Sequence, residues 1–310
     1  MSDKNMFPPP QEGTGIPLEQ PQIQQPQTNP LASYFRQPKI YITLPSKGMF
    51  WTKDSIEMTA NGELPVFAMT AKDEILLKTP DALISGQATV DVIQSCIPAI
   101  KDAWKMPVID LDSILIAIRI ATYGEKMDLE INVPVTAEQK RYDLDLRQIL
   151  DQHREQTFEP QVKMGPMLVT IKPLNYEEFT KTALKTFEEQ RIFNVLNNDQ
   201  ISDAEKITVF QKSFKALTDI TIKNLENAIY SIQLDDGTVV DNPQHISEFV
   251  NNAEKDTFTV ITDHIEAQRN KFTTKPLVLQ ATPEEIEKGV PETYEVPISF
   301  DSANFFVSGS

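Results

Sequence analysis

The hydrophobic and polar positions of the chain predict a central helix between residues 109 and 124, in "IDLDSILIAIRIATYG". Apolar residues fall on nearly every side of this segment, and such a helix belongs in the centre of a domain. Asp110 or Asp112 is expected to cap the helix, and Gly124 to end it. Arg119 interrupts the pattern. Either its aliphatic carbons lie on the core while its guanidinium pairs with a carboxylate, or the guanidinium binds a ligand.

A shorter helix is predicted after Thr70, because an acid three residues beyond a threonine is the spacing of a capping box. Asp73 and Glu74 also fall in the first turn, where the helix dipole favours negative charge. Residues 75–77 (Ile-Leu-Leu) are expected on the buried side, and Pro80 ends the helix because proline lacks an amide proton. The acids are therefore interpreted as a helix start and not as catalytic groups.

Two more helices are predicted before the central one. A short helix runs from Asp81 to just before Gly86, a residue suited to a C-cap. Another starts at Thr89 and ends before Pro98, with apolar residues paired four apart. Cys96 belongs to that apolar face, so it is predicted to be a small core residue and not a nucleophile. The predicted core contains Ile75, Leu76, Ile93, Ile97, Ile114, Leu115 and Ile118.

Alternating apolar and polar positions predict several strands. Residues 39–43 form one, followed by a turn in which Pro45 sets φ and Gly48 accepts a positive φ. The Lys47–Gly48 pair does not indicate a phosphate-binding loop, because that loop needs several glycines and a helix opened by Lys-Ser/Thr. A further strand is expected at 165–174.

Two segments, 126–146 and 275–306, show a strand-loop-strand pattern, and the second is a loose echo of the first. A short helix near 147–153 is expected to follow the first segment. Asp236-Gly237 stands between two apolar runs and predicts a hairpin; its acids do not have the spacing of a calcium-binding EF-hand.

Two long helices are predicted in the second half of the chain. An amphipathic helix covers residues 175–198, and another runs from Ser202 to Leu234, with Glu205 completing a capping box. The predicted fold class is therefore α+β, mainly helical, with a partial internal duplication of the two strand-loop-strand segments.

Composition separates the first residues from the rest, since seven of the 22 prolines lie in residues 1–30. A segment rich in proline and glutamine cannot bury enough apolar surface to offset its ordering entropy, so residues 1–37 are predicted to be a disordered tail. The tail is either simply solvated or a tether with a linear motif anchored by Leu31, Tyr34 and Phe35. The remainder is expected to divide into an α+β core at 38–155 and a helical region with a closing hairpin at 156–310.

A net charge of -16 disfavours binding to nucleic acid and to anionic membranes, because like charges repel. No apolar run approaches the roughly 18 residues of a membrane span, and the N-terminus lacks the features of a signal peptide. The single cysteine fits a reducing compartment. A soluble cytosolic protein is expected.

Motifs of catalysis and metal binding are absent from the sequence. Three histidines lie far apart, at positions 153, 245 and 264, without the HExxH spacing, and one cysteine cannot form a zinc ribbon. The nucleophile elbow and the glycine-rich dinucleotide fingerprint are also missing. We therefore expect no enzymatic activity.

Four segments, taken together, carry a family resemblance: "LPSKGMFW" (44–51), "VFAMTAKDEILLKTPDALISGQATVDVIQSCI" (66–97), "IDLDSILIAIRIATYGEKMDLE" (109–130) and "FDSANFF" (300–306). Their order and spacing over about 38–146 resemble the baseplate hub assembly proteins of T4-like contractile-tailed bacteriophages, whereas about 155–275 is weakly similar. The positions that carry the motifs are Pro45, Ser46, Lys47, Gly48, Thr70, Asp73, Glu74, Arg119, Tyr123 and Gly124.

The sequence departs from this family pattern at its two hairpins. Many relatives carry Cys-Pro-x-Cys-Gly in the hairpin after the Tyr123-Gly124 helix and a similar cysteine pair in the last hairpin, in the manner of zinc-ribbon ligands. Here these loops contain "NVPVTAEQ" and "ATPEEIEKGVPE", in which Pro134 remains but no cysteine does. The hairpins are expected to look like zinc-ribbon insertions that have lost their cysteines, with no bound metal or other cofactor.

The resemblance implies a non-enzymatic tail protein that promotes assembly of the baseplate hub by binding hub subunits, as an assembly chaperone. A permanent structural subunit of the hub is the alternative, and a tail-tip peptidoglycan hydrolase is a third hypothesis for which the sequence offers no candidate acid. The implied partners are other hub and tail proteins, in the cytoplasm of the infected bacterium or in the virion baseplate.

The last aromatic residues are candidate partner-binding positions if they are exposed. If they fold back, they close the final hairpin onto the core. The candidate positions are Phe300, Asn304, Phe305 and Phe306.

Overall fold

The computed structural model describes residues 31, 35–79, 85–195, 202–298 and 305–306. The short helix predicted from Asp81 lies outside these residues, as do Phe300, Asn304, Tyr34 and the proline-rich stretch up to residue 30. Contacts divide the chain after Arg36, and the architecture below is that of the unit that begins at Gln37.

Nine α-helices occur in the described residues, and two short 3-10 turns precede the third of them. The helices are α1 Ala71–Leu77, α2 Gln87–Cys96, α3 Leu111–Tyr123, α4 Leu146–Glu155, α5 Tyr176–Val195, α6 Asp203–Ala228, α7 Pro243–Asn252, α8 Lys255–Phe272 and α9 Pro283–Glu287.

The strands form small antiparallel sheets and, in the described part of the chain, no closed barrel. Strands β1 and β2, β3 and β4, and β9 and β10 form three pairs, and β5 to β8 form a four-stranded sheet in sequence order. The predicted α+β class is therefore confirmed. The strands are β1 Pro38–Thr43, β2 Glu63–Phe67, β3 Lys126–Asn132, β4 Gln139–Asp145, β5 Gln161–Met164, β6 Met167–Ile171, β7 Ile229–Gln233, β8 Val239–Val240, β9 Leu277–Gln280 and β10 Thr293–Val296.

Helix α3 lies in the largest apolar cluster, as predicted, because residues on nearly every side of it are buried. It packs against β1, β2, α2 and α4. Ile114, Ile116 and Ile118 are completely buried, and each such side chain stabilises the fold by about 1.5–3 kcal/mol relative to an exposed one. Gly124 ends the helix with a φ of 97°, a conformation that favours glycine.

A second apolar cluster lies between the four-stranded sheet and helices α6, α7 and α8. The sheet contributes Val169 and Ile232, and the helices contribute Leu225 and Ile261. Phe158, from the segment before β5, completes it.

A third, smaller cluster joins the two strand-loop-strand segments. Val133, in the loop of the β3–β4 hairpin, packs with Val290 and Tyr294 of the β9–β10 hairpin. Beside them, the Nζ of Lys140 lies 2.7 Å from a carboxylate oxygen of the buried Glu285. The two segments that echo each other in sequence therefore contact each other through apolar side chains and an ion pair.

Helix α1 is oriented differently from the sequence prediction. Ile75, predicted in the core, is 66% exposed, because this seven-residue helix turns Asp73 and Leu77 toward the interior instead. Leu76 is partly buried against the largest cluster. The other predicted core residues are buried: Ile93, Ile97, Ile114, Leu115 and Ile118.

Several elements differ from the sequence prediction in extent or were not predicted. Helix α6 ends at Ala228 and not at Leu234, because residues 229–233 pair with β6 as strand β7. Strand β2 contains Pro65, a residue that argues against a strand because it has no amide proton to donate. The strand tolerates Pro65 because it pairs with β1 on one side only. Strand β5 and helices α7, α8 and α9 also had no predicted counterpart.

Candidate functional site at the two ends of the central helix

The carboxylate of Asp110 holds the turn that precedes the first helix. It is completely buried at the start of α3, where it accepts hydrogen bonds from Ser46 N at 2.8 Å, Ser46 Oγ at 2.5 Å and Trp51 Nε1 at 2.8 Å. No side-chain bond caps the helix, so Asp110 occupies the predicted N-cap position without the predicted capping bond. Burial raises the pKa of Asp110 to about 6, although these three hydrogen bonds act in the opposite direction.

The turn fixed by Asp110 contains strained backbone. Lys47 and Phe50 have φ of 53° and 69°, and Gly48 has a φ of 81°. Positive φ at a residue other than glycine costs of order 1–3 kcal/mol and persists only where neighbours fix it. The ring of Phe50 meets Phe158 edge to face, with centroids 5.1 Å apart, so the turn also reaches the second apolar cluster.

At the other end of α3, the start of α1 is fixed by the predicted capping box. Thr70 N and Oγ1 both donate to Asp73 Oδ2 at 2.8 Å, and Asp73 N donates to Thr70 Oγ1 at 3.3 Å. Ser95 Oγ of α2 donates to the same carboxylate oxygen at 3.0 Å. Met69 N donates to Thr122 Oγ1 of α3 at 3.0 Å. The capping box therefore also positions α1 against α2 and α3.

Arg119 is 2% exposed, yet no carboxylate pairs with it among the described residues, so the prediction of an acidic partner is wrong there. Its Nη1 donates to the main-chain oxygen of Phe305 at 2.7 Å. The guanidinium carbon lies 5.3 Å from the ring centroids of both Tyr123 and Phe305, within cation–π range. Its Nε has no partner in the described structure, and burial lowers the pKa of Arg119.

Phe305 and Phe306 are folded against α3 and are 2% and 5% exposed. Tyr123 Oη donates to the main-chain oxygen of Phe306 at 2.9 Å, and the two phenylalanine rings meet edge to face at 5.0 Å. Both rings are thus placed in the core, and neither is an exposed anchor in this structure. Burial, followed by the negative charge of Glu74, raises the pKa of Tyr123, so Glu74 of α1 also belongs to this end of α3.

The family-motif positions therefore form two groups. Pro45 to Gly48 lie at the N-terminal end of α3, around Asp110. Thr70, Asp73, Glu74, Arg119, Tyr123 and Gly124 lie at its C-terminal end. The sequence predicts Asp110 only as a cap, because its hydrogen-bond partners lie 64 and 59 residues away along the chain.

His153 belongs to a buried cluster of polar side chains that the sequence did not predict. His153 Nδ1 lies 3.0 Å from Ser113 Oγ, and its Nε2 lies 3.4 Å from Thr274 Oγ1, which in turn lies 3.5 Å from Asp112 Oδ2. Burial lowers the pKa of His153 to about 4, so the ring is neutral near pH 7. A cavity of about 280 Å³ borders His153 but is not lined by Ser113, so the geometry supports packing and not a nucleophile open to substrate.

In the described ranges, no group of three or more His, Cys, Asp or Glu side chains is arranged to hold a metal ion. No helix within those same ranges is both long and apolar enough to cross a bilayer.

Six of the exposed large apolar side chains in the described part of the chain lie on helices α5 and α6. On α6, Ile207, Phe210 and Phe214 follow one another at a spacing of three and four residues, so they share one face of the helix. The rings of Phe210 and Phe214 stack with centroids 6.3 Å apart. On α5, the exposed large apolar residues are Phe179, Leu184 and Phe187. We call these six residues the α5–α6 surface.

These features define an α+β protein whose buried motifs hold its helices together and which, in its described part, exposes six large apolar side chains on one helix pair. The sequence model of a family described as T4 bacteriophage base plate protein matches residues 38–276, and the chain belongs to this family. Membership indicates a structural or assembly role in a phage baseplate, with other baseplate proteins as partners. No curated protein and no solved structure matches the chain.

Proposed function

We propose that the protein promotes assembly of the central hub of the baseplate by binding hub subunits, as a non-catalytic assembly chaperone. Family membership supports a role in the baseplate, and the four motif segments resemble those of hub assembly proteins. The observation that carries the proposal is the α5–α6 surface, because large apolar side chains exposed along helices are typical of protein-binding sites.

The α6 part of this surface has the geometry of a helix-to-helix contact. Ile207, Phe210 and Phe214 occupy positions i, i+3 and i+7, the spacing at which one helix anchors on another. Phe214 is 61% exposed, so its burial by a partner would remove a large apolar area from water.

Charge indicates what kind of partner this surface accepts. Residues 206–217 contain Lys206, Lys212 and Lys215 and no acidic residue, although the whole chain carries a net charge of -16. An apolar stripe beside three lysines fits an amphipathic helix with acidic flanks on a hub subunit. A second copy docked by the same face would bring lysines against lysines, which disfavours self-association there.

The test is assembly in infected cells that supply only a Phe210→Ser/Phe214→Ser variant. We expect about a tenfold loss of hub proteins relative to other baseplate proteins in purified particles, measured by quantitative mass spectrometry. Tyr41→Ser and Val278→Ser, which alter exposed side chains on strands β1 and β9, are the matched controls, and particles with either variant are expected to assemble normally. Normal hub content with the double variant would overturn the proposed surface.

The same particles distinguish the two roles of the protein. A chaperone is present in infected-cell extract and absent from gradient-purified particles. Retention at a fixed ratio to the hub proteins would instead establish a permanent hub subunit, for which the apolar α5–α6 surface is equally suited.

A further inference from the structure

The apolar face of helix α6 continues from the α5–α6 surface into a cavity. Residues alternately three and four apart form one seam along this helix, which starts with Ile207, Phe210 and Phe214 and ends with Thr221, Asn224 and Ala228. The last three of these residues also line a cavity of about 410 Å³. Phe214 and Thr221 lie about 10 Å apart along the helix axis, so one partner helix can cover both parts of the seam.

The size of the side chains changes along this seam. Its first part presents the exposed rings of Phe210 and Phe214, whereas its second part presents the small side chains of Thr221 and Ala228 beside the cavity. When two helices pack, large side chains of one helix fill the spaces between side chains of the other. The partner helix is therefore expected to carry small side chains opposite the two phenylalanines and a large one opposite Thr221.

The inner wall of the cavity is apolar and belongs to the second apolar cluster. Ile109, Phe158, Ile171 and Leu225 are its buried residues. The volume lies in the range of about 300–1,000 Å³ that is usual for ligand pockets, so the cavity has room for a large aromatic side chain. Aromatic side chains buried in such pockets contribute much of the binding energy of an interface.

Basic side chains border the cavity. Lys172 follows strand β6 and Arg269 lies on α8, and neither forms an ion pair within the described part of the chain. Glu266 of α8 also borders the cavity, which leaves two cations against one carboxylate. A carboxylate on the partner, next to its aromatic side chain, complements this local positive charge.

We propose that this cavity takes an aromatic side chain and a neighbouring carboxylate from the helix of a hub subunit that lies along the α6 seam. The inference rests on the proposed function, because Phe179 lines the cavity and also belongs to the α5–α6 surface. The cavity gives that surface specificity. A helix with large side chains throughout would clash with Phe210 and Phe214, and one with small side chains throughout would leave the cavity empty.

A matched pair of tryptophan substitutions on α6 tests the proposal. Thr218 and Thr221 are both exposed, and each hydroxyl donates to the main-chain oxygen four residues earlier, but of the two only Thr221 lines the cavity. In infected cells that supply only Thr221→Trp, the indole blocks the cavity, and hub proteins in purified particles are expected to fall about tenfold. Thr218→Trp is expected to assemble normally. Thermal melts of both purified variants check that they fold.

The variant Phe210→Ser/Phe214→Ser, measured in parallel, separates this proposal from the proposed function. Normal hub content with Thr221→Trp and a loss with the double variant would overturn the cavity as a binding site and leave the proposed function standing. Normal hub content with both would overturn both. An equal loss with Thr218→Trp and Thr221→Trp would also overturn the role of the cavity.

A second measurement uses purified protein and no substitution in the seam. The probe is anilinonaphthalene sulfonate, whose rings and sulfonate stand in for the aromatic side chain and the carboxylate. Arg269→Glu reverses an exposed charge beside the cavity, and Lys255→Glu reverses an exposed charge on the same helix away from it. In fluorescence titrations, Arg269→Glu is expected to bind the probe about fivefold more weakly than Lys255→Glu. Equal affinities, or no binding by the unaltered protein, would overturn the proposal.

Discussion

Arg119 donates a hydrogen bond of 2.7 Å to the main-chain oxygen of Phe305, across 186 positions of the chain. The bond joins the C-terminal part of the central helix to the last motif of the sequence. Tyr123, one helical turn further on, makes the equivalent bond to Phe306. The motif of the central helix and the last motif of the sequence therefore form one structural site. The rings of Phe305 and Phe306 complete the largest apolar cluster.

Removal of the Phe305 ring is expected to destabilise the fold strongly. Phe305→Ala leaves a cavity in the largest cluster and an aromatic face missing from Arg119, so the free energy of unfolding should fall by about 3–5 kcal/mol. Urea denaturation followed by circular dichroism measures the change. Tyr41→Ala, on an exposed side chain of β1, is the control and is expected to change stability by less than about 0.5 kcal/mol. A loss at position 305 as small as the control's would contradict the buried placement.

Asp110→Ala is expected to release the turn at 45–51. The substitution leaves three donors of Ser46 and Trp51 without their acceptor and lowers the free energy of unfolding by about 3 kcal/mol. Trp51 fluorescence should shift to the red as its indole gains water. Asp54→Ala, at an exposed position near the same turn, is expected to change neither property. An unshifted spectrum in the Asp110 variant would show that the carboxylate does not hold the turn.

The buried His153 is expected to make stability depend on pH. Its folded pKa is about 4 and its ordinary value is 6.5, so the unfolded chain takes up a proton at a pH where the folded chain does not. Stability attributable to this group is complete above pH 6.5 and is lost as the pH falls toward 4, by at most about 3 kcal/mol.

Comparison with His153→Gln isolates this effect. Asp110 acts in the opposite sense, because its pKa is raised from 3.8 to about 6 in the folded protein. Its contribution to the free energy of unfolding is therefore complete below pH 3.8 and is lost as the pH rises toward 6. The contribution of Asp110 is common to both proteins and cancels in the difference. Unfolding free energies that keep a constant difference from pH 7 to pH 4 would argue against a buried neutral imidazole.

Two aspartate substitutions, one at a buried and one at an exposed isoleucine, are expected to differ in their effect on folding. Ile118→Asp places an unpaired carboxylate in a completely buried position and is expected to abolish cooperative folding, since such burial costs several kcal/mol. Ile75 belongs to the core predicted from sequence but is exposed in the structure. The Ile75→Asp variant should therefore melt cooperatively, at a temperature close to that of the unaltered protein. Thermal melts followed by circular dichroism decide the matter. Cooperative melting of the Ile118 variant would place α3 outside the core.

The paired hairpins are expected to be stable without zinc. Val133, Val290 and Tyr294 fill the contact between them with apolar side chains, which are not metal ligands. Elemental analysis of purified protein is expected to find zinc well below one equivalent per chain, and a chelator should leave the thermal melt unchanged. Stoichiometric zinc, or a melt lowered by the chelator, would contradict this prediction.

The sequence by itself determined the features that depend on neighbours a few positions apart. The capping boxes of Thr70 with Asp73 and of Ser202 with Glu205 formed as predicted, since their partners are three residues apart. The apolar run of α3 predicted a central helix, and the Asp236-Gly237 pair predicted the β7–β8 turn, where Gly237 has a φ of 85°. These signals are local, so the chain carries them before it folds.

Only the tertiary structure decided which partners the polar groups of the core have. Asp110 binds a turn instead of capping its helix, Arg119 binds a main-chain oxygen instead of a carboxylate, and His153 meets Ser113 in a buried cluster. Ile75 is exposed because a buried Asp73 occupies the inner face of its short helix. A buried polar group must find a partner, but the partner it finds depends on which distant segments the packing of apolar side chains brings beside it.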